Sequence, residues 1–391
     1  MIKRLINNFT EFSEKCITYD TNRFFGYIKY LFLRLKYGIG IEAFFENNLW
    51  DDTDHSQYYH QLHTYIHKWS YASKHFSPSS SMLWLAIHYF DYLMAKLYCP
   101  GLDAMDYFRY NFWEYLPSKR RTFITEGGVY KMSRILNGSP EGLKMARVFR
   151  DKPSFNSLFS DIVGRKWLET QSTTKDQFLN FCKDLPKVIC KPTDGGGGKG
   201  IFIEPINNET DAAFLYEEIC NHKYIVEEVI EQHEILAKLN PSSVNTLRIC
   251  SVNVDGEIAI ISATLRIGNG VSVTDNYSSG GLAAEIDIND GIVVSRAVSQ
   301  SGNSVFIHPT TQVPIIGTVI PEWGKILSMV ISAHSRVPQL GYIGWDVVVC
   351  KDRRITFLEA NTCAGVELQQ HASLIGKKKL YSKYLKSRNT N

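Results

Sequence analysis

The pattern of hydrophobic and polar positions divides the chain at about residue 145. Before that point, aromatic and aliphatic side chains recur at the spacing of helices that bury one face, as in Phe24–Leu35. From about Asp151 onward, short runs rich in β-branched residues appear, and helical patterns lie between them. We therefore predict a helical, aromatic-rich N-terminal region followed by a mixed region of strands and helices.

Turn residues refine these elements. Ser77–Ser81 is typical of a loop that caps a helix at Met82–Leu97, and Cys99-Pro100-Gly101 ends that helix. Asp255-Gly256 predicts a hairpin turn between two alternating runs, and Lys351–Arg354 predicts another. Hairpins combined with packed helices predict an α+β fold in two lobes. The predicted strands are Val188–Cys190, Tyr224–Glu227, Thr246–Val254, Glu257–Leu265 and Trp345–Cys350, and the predicted helices between them include Thr210–Cys220 and Trp323–Val337.

The composition is that of a folded protein with no nucleic-acid partner. Hydrophobic residues make up 44% of the 391 positions, so the chain can bury sizeable cores, and the net charge of +3 is too small to favour nucleic acid. The eight cysteines show no C-x-x-C spacing, which favours free buried thiols in a reducing compartment. Met1–Asn8 lacks the apolar core of a signal peptide, and no apolar run approaches the ~20 residues of a membrane span. We therefore expect a cytoplasmic protein.

One N-terminal pattern leaves two interpretations open. Arg23, Lys29, Arg34 and Lys36 fall off the apolar stripe of Phe24–Leu35, with no acidic residue between them. A basic amphipathic helix of this kind can lie on an anionic membrane surface. The same pattern fits a helix docked on the rest of the protein with its basic face in water. We favour the docked helix over a peripheral contact with the inner face of the membrane.

A glycine run follows the predicted strand that ends at Lys191. Glycines minimise side-chain bulk and allow positive φ, so backbone N–H groups can approach phosphate oxygens closely. Lys191 and Lys199 flank the run with positive charge, but neither the G-x-x-x-x-G-K-[ST] pattern nor a dinucleotide fingerprint fits. By itself such a run is most often a flexible loop, so its role depends on the motifs around it. The run comprises Gly195, Gly196, Gly197 and Gly198.

Acidic residues lie in two apolar strands near the C-terminus. Asp346 belongs to the run Gly344–Cys350, and Glu359 ends the run Ile355–Glu359. Charges in such strands cost several kcal/mol unless they are paired or bound to metal. In a hairpin the two carboxylates can face each other. Together with Asn361 they supply the hard oxygen ligands that suit Mg²⁺.

Three segments together resemble the ATP-grasp superfamily: Lys191–Gly200, Ile225–Glu234 and Gly344–Asn361. Within it the chain is most similar to the sugar-transfer-associated family, whose members are often labelled alpha-L-glutamate-ligase-related. The resemblance covers about Asp151 to Gln370 and is weaker over Tyr107–Gly138. It implies a two-lobed ATP-grasp fold preceded by a helical N-terminal domain. The domain boundaries implied are residues 1–145 for the helical domain, 146–228 for the N-lobe with the glycine-rich flap, and 229–391 for the C-lobe.

The resemblance also implies ATP and Mg²⁺ as cofactors, with a nucleotide site shared by several motifs. A carboxylate at the ribose is a strong acceptor for two hydroxyl donors, which explains the use of glutamate there. On its own the acidic segment around it would be typical of a surface loop. The implied nucleotide contacts are Lys191 at the α-phosphate region, Gly195–Gly198 at the β- and γ-phosphates, Lys199 as a further phosphate contact, Glu227, Val229 and Ile230 at the adenine hinge, and Glu234 at the ribose.

Metal and catalytic roles follow from the same resemblance. Arg248 matches an arginine that acts on the transferring phosphate, where a guanidinium offers two parallel donors. Arg266 ends the partner strand and can share that role, and Asn276 lies in a polar loop that resembles the substrate-side loop of the family. His308 and Gln369–His371 are further candidates that are better explained as structural or solvated residues. The implied ligands of two Mg²⁺ ions are Asp346, Glu359 and Asn361.

The function implied is an ATP- and Mg²⁺-dependent carboxylate–amine ligase that acts through an acyl-phosphate, in cell-surface sugar or natural-product assembly. Its substrates would be small-molecule or sugar-linked acids and amines. Two alternatives remain open, phosphotransfer to a hydroxyl and a non-catalytic nucleotide-binding scaffold. The helical first domain differs from the open α/β domain of better-known ATP-grasp ligases, so their substrate preferences do not transfer to this chain.

Overall fold

The computed structural model of the chain describes residues 67–77, 79–193, 198, 200–270, 275–277 and 280–387. All of them lie within one compact unit, Tyr65–Asn391. The basic stripe Arg23–Lys36 lies outside the described residues, as do Gly195–Gly197 and Lys199. In the part of the chain that the structure describes, no helix has the length and apolar character needed to cross a membrane.

The described N-terminal part is helical, as its periodicity predicts. The chain is helical at 67–76, and Ser81 then caps the next helix by accepting a hydrogen bond from Trp84 N–H at 3.2 Å. The predicted serine cap is therefore confirmed. The helices are α1 (Met82–Tyr98), α2 (Ala104–Arg109), α3 (Pro117–Arg120), α4 (Glu126–Asn137) and α5 (Pro140–Arg150), with a 3₁₀ turn at Phe112–Glu114.

An aromatic cluster holds α2 in place. The ring of Trp69 contacts those of Tyr92, Tyr107 and Phe108, with centroids 5.3, 5.5 and 4.6 Å away. The Tyr107 hydroxyl also donates to the Asp91 carboxylate at 2.6 Å. Because aromatic side chains bury large areas in preferred geometries, this packing fixes the position and rotation of a helix of only six residues.

A smaller sheet of four antiparallel strands follows. Its strands are β1 (Trp167–Glu169), β2 (Lys187–Pro192), β3 (Phe202–Pro205) and β4 (Tyr224–Glu228), in the order β1-β4-β2-β3. The helices Lys175–Cys182 (α8) and Glu209–Ile219 (α9) pack with β2 and β4 in one core that includes Phe178, Val188 and Leu215. The helices of this part are α6 (Lys152–Leu158), α7 (Ser160–Val163), α8 (Lys175–Cys182) and α9 (Glu209–Ile219).

The larger sheet has seven antiparallel strands: β5 (Leu247–Val254), β6 (Glu257–Ile267), β7 (Leu282–Ile286), β8 (Ala297–Ser299), β9 (Ser304–Val305), β10 (Tyr342–Val349) and β11 (Ile355–Asn361). Their order in the sheet is β11-β10-β5-β6-β7-β8-β9. The turn between β5 and β6 has Asp255 at φ 53° and Gly256 at φ 93°, the signs that a two-residue type I′ turn requires. The helices are α10 (Glu234–Ala237), α11 (Trp323–Ser335), α12 (Glu367–His371) and α13 (Lys378–Ser387).

The α+β architecture in two lobes is thus confirmed. Both predicted hairpins are present, and the bounds of the predicted strands differ from the observed ones by up to three residues. Of the eight cysteines, the seven within the described residues are free thiols.

The helical region and the C-terminal sheet are joined by buried side chains. Asn137, the last residue of α4, donates to the carbonyls of Tyr342 and Thr362 at 2.7 and 2.6 Å, and accepts from Gly341 and Tyr342 N–H. Gln370 on α12 likewise accepts from Ile124 N–H at 2.9 Å. These bonds cross the proposed boundary at residue 145, which stays a prediction.

Candidate functional site

The β10–β11 hairpin places two carboxylates side by side. Asp346 is the direct cross-strand partner of Glu359, so their side chains lie on the same face of the sheet. A β-bulge follows, because Val347 pairs with Phe357 and leaves Leu358 as the extra residue. The two carboxylates therefore face each other, as the hairpin pattern predicts.

Two arginines hold the Asp346 carboxylate. Arg248 is its partner on the other neighbouring strand, β5, and donates from Nη2 to Oδ2 at 2.9 Å and from Nε to Oδ1. Arg266 on β6 donates from Nη1 to the same Oδ2 at 3.0 Å. Its Nη2 donates to Asp275 Oδ1 at 2.9 Å and to Asn276 Oδ1 at 2.5 Å. The structure thus joins a predicted metal ligand and the predicted catalytic residues in one network.

The two carboxylates of this network ionise differently. Burial opposes the charge of Asp346, but Arg248 and Arg266 outweigh burial and hold the pKa of Asp346 below its ordinary value. Burial, and then the neighbouring charge of Asp346, raise the pKa of Glu359. Asp346 is thus favoured in its ionised form beside the arginines, whereas burial and the charge of Asp346 favour the neutral form of Glu359.

A cavity of about 660 Å³ opens beside this network. Its polar lining includes Asn361 at the exposed end of β11, as well as Asn276, Tyr277 and Gln300. Cations outnumber carboxylates in the lining, so the cavity is suited to an anionic ligand. The charged residues that line it are Arg109, Arg150, Lys152, Arg248, Arg266, Glu359 and Glu367.

A third buried carboxylate, Glu227 on β4, lies between two cations. Arg165 donates from Nη2 to Oε1 at 2.7 Å, and the Lys191 ammonium donates to Oε2. Burial raises the pKa of Glu227, but these two charges outweigh burial and hold the pKa well below its ordinary value. Arg165 also donates to the carbonyl of Phe357 at 2.7 Å, so it connects Glu227 to the β10–β11 hairpin.

The family model for sugar-transfer associated ATP-grasp proteins matches residues 167–382, more than half of the chain. The chain belongs to the sugar-transfer associated ATP-grasp family. The match covers both sheets and the network around Asp346. No curated protein matches the chain.

Solved structures similar to this family member share little sequence with it. The ATP-grasp ligase PsnB in complex with its minimal precursor has 15% identity and a TM-score of 0.40, covering 72% of this chain and 74% of its own. The L-amino acid ligase of Bacillus licheniformis has 11% identity and a TM-score of 0.36, covering 61% and 48%. The biotin carboxylase domain of Hydrogenobacter thermophilus 2-oxoglutarate carboxylase, solved with MgADP and bicarbonate, has 13% identity and a TM-score of 0.38, covering 62% and 46%. This chain spans about half the length of the last two.

The predicted nucleotide contacts of this ATP-grasp protein lie in different environments. Val229 and Ile230 are half-buried directly after β4, and Glu234 is exposed at the first position of α10. Lys191 does not point to open space, because Glu227 holds its ammonium group. Of the glycine run, only Gly198 is described, and its φ of 75° is one that glycine adopts readily.

Sequence reasoning missed two arginines, Arg165 and Arg109. Arg165 follows a helix end at Gly164 and carries no motif, and its partner Glu227 lies 62 residues away. Arg109 belongs to the helical region, where no nucleotide motif was expected, yet it lines the same cavity as Arg248 and Arg266. Only the i, i+3 spacing of Asp106 and Arg109 marks that pair in the sequence.

Three polar side chains near the site have contacts that fit the predicted structural role. His308 is buried with Nε2 at 2.8 Å from the carbonyl of Gly268. Gln370 bonds the backbone of Ile124 through both ends of its amide. His371 is hydrogen-bonded to the Tyr277 hydroxyl, and burial lowers its pKa to about 3, so it stays neutral.

Proposed function

We propose that the chain is an ATP- and Mg²⁺-dependent ligase that joins a carboxylate to an amine through an acyl-phosphate. The observation that carries the proposal is the convergence of Arg248 and Arg266 beside the Asp346–Glu359 pair, at the wall of a cavity rich in cations. Membership of the ATP-grasp family supports it. ATP-grasp ligases and a carboxylase bound to MgADP are among the similar solved structures.

The carboxylate pair and Asn361 fit Mg²⁺. All three offer oxygen donors, and a cation next to Glu359 would relieve the repulsion that raises the pKa of this carboxyl group. Within the described residues, no group of three or more His, Cys, Asp or Glu side chains could hold a metal by itself. Such a donor set suits a cation that completes its shell with phosphate oxygens and water. When bound, Mg²⁺ supplies neutralisation of phosphate charge.

The nucleotide would lie between the motifs of the smaller sheet and those of the larger sheet. Lys191 is held by Glu227 near the end of β2, four residues before Gly195, and its ammonium group would be oriented in this way for the α-phosphate region. Val229 and Ile230 would present backbone groups to the adenine edge, and exposed Glu234 would accept from the ribose hydroxyls. Positioning of the phosphates by this chain then replaces a covalent protein nucleophile.

Two balanced steps follow from this arrangement. A carboxylate oxygen of the acid attacks the terminal phosphorus of ATP, and the bond to ADP breaks. The amine nitrogen then attacks the acyl carbon, phosphate leaves, and the amine loses a proton as the amide forms. Arg248 and Arg266 stabilise the negative charge on the transferring phosphoryl group, while Asp346 keeps both guanidinium groups in position.

An acyl-phosphate can be trapped without knowledge of the natural amine. The full chain is incubated with MgATP, hydroxylamine and a panel of amino acids, dicarboxylates and uronic acids, and ADP and hydroxamate are measured together. We expect acid-dependent ADP release with matching hydroxamate, both absent in Glu359→Gln. ADP release that instead accompanies a stable phosphoester and no hydroxamate would contradict the ligase and identify a hydroxyl phosphotransferase.

A further inference from the structure

The helical region contributes a charged residue to the cavity beside the candidate site. Arg109, the last residue of α2, is 8% exposed and lines the cavity together with Arg248, Arg266 and Glu359. None of the hinge residues Glu227–Glu234 is part of this lining. Arg109 therefore lines a cavity that the predicted adenine hinge does not line, and we expect a substrate other than the nucleotide there.

The guanidinium of Arg109 is anchored but not saturated. Its Nη1 donates to Asp106 Oδ1 at 3.2 Å, and no other hydrogen bond of this guanidinium is found among the described residues. Its Nε is buried and has no partner among them. A buried guanidinium with unused N–H donors is unfavourable unless a ligand or water accepts hydrogen bonds from them. Arg109 thus retains the capacity to bind an anion.

Asp106 fixes Arg109 rather than competing with a ligand for it. Its other oxygen, Oδ2, accepts from Glu126 N–H at 2.7 Å and from Asp103 N–H at 3.5 Å. Asp106 is 1% exposed and belongs to the capping box of α2. The aromatic cluster around Trp69 holds the same helix. The arginine is thus preorganised, which lowers the entropic cost of binding.

The charges of the cavity point to a ligand with more than one anionic group. Arg248 and Arg266 act at the Asp346 end, where the proposed transfer takes place, whereas Arg109 comes from a different element. Five cations and two carboxylates, Glu359 and Glu367, line the cavity, and behind the lining Asp346 and Asp275 bind Arg248 and Arg266, whereas among the described residues Arg109 has only Asp106. A single carboxylate at the Arg248–Arg266 end would leave Arg109 buried with unused donors.

We propose that Arg109 binds a second anionic group of the acid substrate. The substrate class is then an acid with two anionic groups: the reacting carboxylate at the Arg248–Arg266 end, and a second carboxylate or a phosphate at Arg109. The proposal rests on the proposed ligase function and specifies the substrate of that same site. Gln300 in the lining offers a further polar contact for such a molecule.

The test compares matched acids on the full chain saturated with MgADP. Calorimetry measures binding of succinate, glutarate and adipate, of butyrate, pentanoate and hexanoate as their monoanionic counterparts, and of 3-phosphonopropionate and 4-phosphonobutyrate. We expect at least one dianionic acid to bind about tenfold or more tightly than its monoanionic counterpart. Comparison of the dicarboxylates with the phosphonates shows whether the second anionic group is a carboxylate or a phosphate. Wild-type protein without any preference for dianionic acids would overturn the proposal.

The variants assign that preference to Arg109. Arg109→Gln should abolish the preference while MgADP affinity stays unchanged, and Arg109→Lys should retain part of it. Arg109→Gln leaves the buried Asp106 without its partner and could unfold the protein. In that case the double variant Asp106→Asn with Arg109→Gln is measured in its place. Arg353→Gln, which removes an exposed arginine that is not part of the lining, is the matched control. A preference retained without Arg109 overturns the proposal, whereas failure of wild-type protein to bind MgADP contradicts the ligase function itself.

Discussion

Glu227 and Glu359 are both carboxylates on strands, but the protein balances their charges differently. Arg165 and Lys191 each bind one oxygen of Glu227, which is 1% exposed and absent from the cavity lining. Glu359 lines the cavity and faces Asp346. Arg248 and Arg266 donate hydrogen bonds to Asp346, but among the described residues neither donates one to Glu359. The difference indicates that Glu227 joins the smaller sheet to the β10–β11 hairpin through Arg165, whereas Glu359 faces the cavity, where a bound cation would favour its ionised form.

The largest effect is expected at Glu227. Glu227→Gln leaves the buried Arg165 and Lys191 without a counter-ion, and breaking a buried pair in this way costs about 3–5 kcal/mol. Urea denaturation should therefore show a much lower free energy of unfolding. Glu217→Gln, which removes the exposed partner of Lys175, is the matched control and should change little. A similar small change for both variants would show that Glu227 is not a structural carboxylate.

At Arg248 the expected effect is on turnover. Arg248→Lys keeps a positive charge near Asp346 but loses the guanidinium fork that now donates to both carboxylate oxygens. Turnover should fall by about tenfold or more while ATP affinity is nearly kept. Steady-state ADP release and nucleotide titration of the same preparation separate the two quantities. If turnover survives, Arg266 alone stabilises the transferring phosphoryl group.

The same comparison shows where sequence reasoning succeeded. The β10–β11 hairpin depends on local signals, since short apolar runs rich in β-branched residues predict the strands and Lys351–Arg354 predicts the turn. The facing of Asp346 and Glu359 then follows from strand geometry. The Asp255–Gly256 turn was predictable for the same reason, because its residues are those that accept positive φ.

Contacts between distant segments were not predictable. Asp346 and Arg248 are 98 residues apart and pair only because β10 lies next to β5 in the sheet. Arg109 reaches the cavity because aromatic packing orients α2, and no spacing in the sequence encodes that orientation. Asn137 similarly bonds the backbone of a strand 205 residues away. Sheet order and helix docking decide such contacts, and neither can be read from one chain's local pattern.

The smallest expected effect is an opposite response of the two glutamates to pH. The pKa of Glu227 is lowered from its ordinary 4.5, so the stability it contributes is present above that value and is lost as pH falls. The pKa of Glu359 is raised, so its contribution is present below 4.5 and is lost as pH rises through the raised value. Relative to wild-type protein, metal-free Glu359→Gln should therefore gain stability as pH rises above 4.5, whereas Glu227→Gln should lose stability as pH rises towards 4.5. If the stabilities of the two variants relative to wild-type protein changed in the same direction with pH, the proposed difference between Glu227 and Glu359 would be wrong.

The most direct test of the account is whether the β10–β11 carboxylates bind the metal–nucleotide complex. ADP is titrated calorimetrically into wild-type protein and Glu359→Gln, each with Mg²⁺ and with chelator. Glu367→Gln, the other carboxylate of the cavity, is the control. The account predicts that Mg²⁺ strengthens ADP binding in wild-type protein and in the control, and that this gain falls by more than about tenfold in Glu359→Gln while the variant stays folded. An undiminished gain in Glu359→Gln would contradict it.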